Sequence, residues 1–168
     1  MKLVVGSVVS YPPHGVGRIA ARERSAVYGV EHEVVVVELA DGLSVTLPVQ
    51  RAREVLRPLA GESEIRAIQD TLRQEGELGD DIWSKRRDRT RDKLRSGDPR
   101  ELAEIVRDGA QRERAARQQR ASAELSASER ELYLKARDLL AGEISLVRGL
   151  TEAEAAIWID EQLAVAES

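Results

Sequence analysis

The chain of 168 residues has no cysteine and no phenylalanine, and its only aromatics are three Tyr and two Trp. Lack of cysteine excludes a disulfide scaffold, a thiolate zinc site and a cysteine nucleophile. Scarcity of aromatics means that a core must be built from Val, Leu, Ile and Ala. Long apolar runs are also missing: none approaches the roughly 20 residues needed to span a bilayer. The Val-rich start is broken by Gly6, Ser7 and Ser10, so it does not read as a signal peptide. A soluble, cytoplasmic protein is expected. There are two histidines, His14 and His32, and no motif pairs them with acids, so neither metal nor cofactor is expected. Nothing marks a nucleophile elbow, a phosphate-binding loop or a catalytic dyad, and the chain does not read as an enzyme.

Charge is plentiful but unevenly spread. The net value is -4, from 26 Lys+Arg and 30 Asp+Glu. Residues 61–79 and 121–168 are acidic, with net charges of -3 and -6, whereas residues 80–120 carry 13 basic and 9 acidic side chains. The densest block runs from Trp83 to Arg95. It holds Lys85, Arg86, Arg87, Arg89, Arg91, Lys93 and Arg95 against Asp88 and Asp92. Such a block in an acidic chain can hold an anionic partner locally.

The two halves have different periods. Val4–Val9, Gly15–Ala21, Val34–Leu39 and Leu43–Leu47 read as strands, with a further strand after Tyr28-Gly29, and Asp41-Gly42 reads as a type I′ hairpin turn. Five short strands in under about 50 residues predict a small, strongly bent sheet or barrel. Pro48 ends the last. Beyond a boundary near 58–63 the apolar spacing becomes helical. Ser63 is expected to start a short helix through Ile65, Ile68 and Leu72. Asp98-Pro99, Ser126 with Glu129, and Thr151 with Glu154 mark three later helix starts. The fold class is α+β, β first and then α: a bent β domain over 1–60 followed by an all-helical domain over 61–168.

Gly15-Val16-Gly17-Arg18-Ile19-Ala20 matches a dinucleotide fingerprint, but a Pro-Pro turn precedes it and β-like sequence follows, so it lacks the strand–turn–helix context that motif needs. Trp158, between Ile157 and Ile159, reads as core. Arg112–Arg120 reads as an exposed helical extension, with Gly109 a local cost of roughly 1 kcal/mol in a helix interior. The Trp83 block has two readings that the residues alone leave level. It is a solvated basic helix anchored by one buried Trp, or a nucleic-acid-binding helix in which Lys and Arg neutralise phosphates and Trp83 stacks on a base or wedges into a minor groove.

Two stretches carry a family resemblance. Val5-Gly6-Ser7-Val8-Val9-Ser10-Tyr11-Pro12-Pro13-His14-Gly15-Val16-Gly17 resembles the opening of the CarD family of bacterial transcription regulators. Trp83-Ser84-Lys85-Arg86-Arg87, followed by Lys93-Leu94 and Ser96-Gly97-Asp98, is similar to that family's Trp-basic segment. Val106-Arg107-Asp108, Leu125-Ser126 with Glu129, and Lys135-Ala136-Arg137 resemble further family positions in the same order.

The resemblance implies a Tudor-like N-terminal domain docking on the RNA polymerase β subunit, through Arg24, Ser25, Val27, Val45 and Thr46. It implies a helical domain that contacts promoter DNA at the upstream edge of the bubble without base-specific readout. There Trp83 would be the wedge, with Lys85, Arg86, Arg87, Arg89 and Lys93 as its basic partners. A protein monomeric on polymerase, cytoplasmic and tied to the nucleoid only through polymerase, is expected. Its action would be to stabilise the open complex; the alternative is a polymerase-binding adaptor without the wedge. Departures from the family pattern are Thr46, where an arginine facing polymerase is frequent, Ser25 near another such position, Arg87 in place of an aromatic, and a longer stretch over Gly109–Glu124.

Overall fold

A computed structural model describes residues 1–79, 81–118 and 124–168, and of Val27 only the backbone. They form two compact units, Met1–Leu59 and Ala60–Ser168.

The first unit is an antiparallel meander of four strands in the order β1-β2-β3-β4: β1 Val8–Tyr11, β2 Gly15–Val27, β3 Val30–Leu39 and β4 Ser44–Pro48. Two of the five short strands expected from sequence, the one after Tyr28-Gly29 and Val34–Leu39, are a single strand, β3, and β2 runs on past Ala21 to Val27, 13 residues in all. A bulge lets it do so: Ile19 pairs with Val37 and Ala21 with Val36, so Ala20 is an extra residue. A bulge bends its strand and strengthens its twist, which curls this sheet into a half-barrel. Beyond β4, the chain returns to the free edge of β1, where Ser10 and Arg57 exchange backbone hydrogen bonds of 2.9 and 3.0 Å. Val9, Ile19, Val35, Val37, Leu39 and Leu47 form the core with Leu3, Ala52 and Leu56. Val4 and Val5 lie outside the sheet, each 54% exposed.

The tight hairpin turn lies elsewhere than expected. Val27 pairs with Val30 across Tyr28-Gly29, whose φ angles are both positive, +52° and +78°. That is the requirement of a type I′ turn. At 40–43 only Gly42 has positive φ, and Asp41 instead accepts the Leu43 amide at 3.0 Å, a side-chain turn. Gly17 shows why the apparent dinucleotide motif carries glycine inside a strand. A Cβ there would lie 2.8 Å from the Glu38 carbonyl oxygen and 2.9 Å from Val37 Cγ1. One helix, α1 Val49–Val55, was not expected. Its signal is the apolar spacing of Val49, Ala52 and Leu56 after Pro48, over a length too short for periodicity to decide.

The described residues of the second unit form five helices: α2 Glu62–Arg73, α3 Trp83–Ser96, α4 Pro99–Arg117, α5 Ala127–Arg148 and α6 Glu152–Val165. Helix α2 starts after Gly61, one residue before the expected Ser63, and Glu64 accepts the Gly61 amide at 2.7 Å. The other caps fall where sequence put them. Asp98 accepts the Arg100 amide at 2.8 Å, with Pro99 in the first helical position. Ser126 with Glu129 and Thr151 with Glu154 form reciprocal capping boxes. Burial of Ile65, Ile68, Leu72, Leu102, Val106, Leu140, Ile144, Ile159 and Leu163 closes one core. Trp158 packs against it with the Arg148 guanidinium 4.9 Å from its ring centroid. No described helix is long and apolar enough to cross a membrane.

Candidate nucleic-acid interface

Helix α3 owes little to hydrophobic burial. Its one buried apolar side chain is Leu94, near its C-terminal end, and Gly97 closes it in the left-handed conformation, φ +63°. Ile82 precedes its first turn and offers no side-chain cap. The opening turn is instead held by charge. Arg86 forms a two-pronged pair with Glu129 of α5: Nε donates to Oε1 at 2.8 Å and Nη2 to Oε2 at 3.3 Å. Its Nη1 donates to the Asp81 carbonyl oxygen at 2.5 Å. The two side chains are only 15% and 5% exposed.

Burial alone would raise the Glu129 carboxyl, but hydrogen bonds from Arg86 and from the Ser126 amide and hydroxyl outweigh it and hold the group below the ordinary glutamate range. Beside this pair lies a cavity of about 340 Å³ lined by residues of α3, α4 and α5 with Glu77, Leu78, Gly79, Asp81 and Leu125. Arg112, buried in its wall, donates to the Gly79 carbonyl oxygen at 3.0 Å. Desolvation, and then the Arg86 charge, push its guanidinium below the usual arginine range.

The residues singled out in sequence therefore part into two groups. Trp83, first residue of α3, is 51% exposed beside Ile82 at 61%. Arg87, one turn on, stacks beneath it, its Cζ 4.9 Å from the ring centroid, a cation–π contact. The Arg87 Nε is buried without a hydrogen-bond partner among the described residues; Asp88 Oδ1, at 3.6 Å, is out of reach. Lys85 is exposed and has no partner among the described residues. By contrast Arg86 faces inward, Arg89 pairs with Asp81, and Lys93 pairs with Glu104 at 2.6 Å.

Sequence reasoning counted Arg91 and Arg95 in the basic block but left them out of the basic partners of Trp83; both lie on the outward side. Arg91 is exposed without a partner among the described residues, and Arg95 meets only Asp92, at 3.8 Å. Helical spacing was the available signal: Arg86, Thr90, Lys93 and Leu94 recur at i, i+4, i+7 and i+8, the inward stripe, leaving Lys85, Arg91 and Arg95 outside it. Glu129 was legible as a cap residue but not as the partner of Arg86. Of the Arg112–Arg120 stretch, Arg112 is buried rather than exposed, and Arg120 lies outside the described residues.

In the first unit, alternation along the paired strands places Ser25 and Thr46 on one face of the sheet. Arg24 and Val45 belong to the other face, where Val45 packs partly buried against the core. Val27 ends β2, and its side chain lies outside the described residues. The five residues thus do not form one patch. Among the described residues no group of three or more His, Asp and Glu side chains is placed to hold a metal ion.

Comparison with known proteins fits both units. Residues 67–160 match the model of the CarD C-terminal domain, and residues 3–60 match that of the CarD-like/TRCF RID domain. The chain belongs to the CarD family. A similar protein is "Putative transcription factor YdeB" of Bacillus subtilis (strain 168), 27% identical over 155 residues, covering 89% of this chain and 95% of that protein. The CarD family is one of transcription factors rather than enzymes. Its RID domain is Tudor-like, in keeping with the curled sheet of Met1–Leu59.

Proposed function

We propose that this CarD-family protein regulates transcription by docking on the RNA polymerase β subunit through residues 1–60 and stabilising the promoter open complex through its helical domain. The observation that carries the reading is Trp83. A large aromatic at the start of a basic helix, half exposed and braced from behind by Arg87, is a rigid apolar surface beside phosphate-binding charge. Such a side chain can enter a minor groove and lean on an unstacked base step. Lys85, Arg91 and Arg95 would neutralise phosphates without reading sequence. So few free cations give weak binding alone, and tethering to polymerase raises the local concentration to compensate. In the first unit β4 is the last strand of the sheet, and an edge of this kind accepts a partner strand. The site of action is the promoter-bound polymerase, hence the cytoplasm, with one protein molecule per enzyme.

The test is the lifetime of the open complex formed by purified polymerase, with wild-type protein and with Trp83→Ala. Wild type should lengthen it, and Trp83→Ala should lose most of that gain while still binding polymerase. If wild type binds polymerase and lengthens nothing, the protein is an adaptor and the open-complex role is wrong. If Trp83→Ala matches wild type, the wedge role is wrong.

A further inference from the structure

We propose that Arg86 and Glu129 form a latch that sets the position of Trp83, so that Arg86 is a positioning residue for the DNA wedge and not a phosphate contact. The proposal rests on the DNA-binding reading of α3, and its test separates the two.

The first turn of α3 lacks the usual means of being fixed. It has no capping side chain, and its buried anchor, Leu94, lies three turns away. Within that turn Arg86 is the residue that ties α3 to a neighbouring helix, and all three of its guanidinium nitrogens are engaged inside the fold. Two go to Glu129 in the fork geometry that fixes orientation as well as distance. The third goes to the Asp81 carbonyl oxygen, which holds the chain entering α3.

Glu129 is itself tied to the start of its own helix. Its Oε2 also accepts the Ser126 amide at 2.9 Å, and its own amide donates to Ser126 Oγ at 3.3 Å. The capping box that starts α5 therefore holds the carboxylate that holds Arg86. Trp83 lies three residues before Arg86 and shares its side of the helix. A shift of this pair moves the indole, and Arg87 then travels with it through the ring stack. Because the Arg86 side chain is only 15% exposed and turned toward α5, a phosphate would have to break the latch to reach it.

The full-length variants Arg86→Ala, Glu129→Gln and the exchange Arg86→Glu with Glu129→Arg are compared with Lys85→Ala. Two readouts are used. The first needs no DNA: the emission of Trp83 in a Trp158→Phe background. Loss of the latch should shift it to the red in Arg86→Ala and in Glu129→Gln alike, and the exchange should bring it back toward wild type. Unchanged emission in folded Glu129→Gln overturns the latch, whatever the fate of Arg86→Ala.

The second readout is binding to fork-junction DNA over a salt series. Arg86→Ala and Glu129→Gln should each weaken binding about tenfold, as for one misplaced anchor. They should leave the slope of log K against log salt unchanged. Lys85→Ala should reduce that slope by about 0.7 to 0.9, the value of one phosphate contact. If Arg86→Ala reduces the slope as Lys85→Ala does while Glu129→Gln binds like wild type, Arg86 is a phosphate contact and the proposal is wrong. Wild-type protein that binds no DNA, with the emission shifts present, would refute the DNA reading and leave the latch standing.

Discussion

Gly109 lies in the middle of α4, where glycine costs roughly 1 kcal/mol relative to alanine. The cost is offset by what the missing Cβ allows. An added Cβ would lie 2.3 Å from Tyr133 Cδ2 and 2.7 Å from Cγ, and the Tyr133 ring is 96% buried, so it cannot swing away. Overpacking of this kind costs about 1–3 kcal/mol. Gly109→Ala should therefore destabilise the protein by about 1 kcal/mol net, against the helix-propensity trend. Urea unfolding checks the sign. With Tyr133→Leu as the starting protein, where the ring is gone, the same change should be neutral or stabilising. The sequence showed the glycine and its local penalty. It could not show that a tyrosine 24 residues onward lies against it, because that proximity comes from the packing of α4 on α5. Trp83 differs: a tryptophan embedded in seven cations announces itself, and only its bracing by Arg87 had to come from geometry.

At the scale of elements, helix starts were readable because a cap is a local contract between residues three apart, as at Asp98, Ser126 and Thr151. Strand extent was less so. A bulge such as that at Ala20 resets alternation within β2, and the strand then reads as ending at Ala21 although it runs on to Val27. The orientation of α3 was hidden for a further reason. Its inward stripe is made of Arg86, Thr90 and Lys93 rather than hydrocarbons, so an apolar-periodicity count finds almost nothing. Joining α3 to α5 through Glu129 has a consequence in acid. The Glu129 carboxyl sits below its unfolded value, near 4.3, so the native state binds fewer protons than the unfolded state in that window. Its contribution is complete above about pH 4.3 and is lost as pH falls through the lower native value. Unfolding midpoints over a pH series should show Glu129→Gln less stable than wild type at pH 7, with the gap narrowing below about pH 4.

For the whole molecule, the net charge of -4 is a poor guide to partners, since it averages a basic helix with acidic flanks. Counting cations along that helix is also misleading, in the opposite direction. Seven lie between Trp83 and Arg95, but Arg86, Arg89 and Lys93 are paired with Glu129, Asp81 and Glu104, and Arg87 is stacked on Trp83. Lys85, Arg91 and Arg95 remain. Each phosphate neutralised changes log K by about 0.7 to 0.9 per unit of log salt, so three contacts predict a total slope of roughly 2 to 3. Seven would give about 5 to 6. The two cases separate widely on raising salt from about 50 to 200 mM: affinity for fork-junction DNA should fall about 20- to 40-fold with three contacts and about a thousandfold or more with seven. A slope near 2 to 3 would mean that internal acids have already neutralised most of the basic helix. The free protein would then bind DNA weakly and with less salt sensitivity than its cation count suggests, and occupancy at a promoter would be governed chiefly by the tether. A slope of about 3.5 to 4.5 would mean that phosphates displace Asp81 and Glu104 on binding, and one of about 5 or more that the Arg86–Glu129 pair and the Arg87 stack open as well, the contacts of α3 being a resting arrangement which DNA opens.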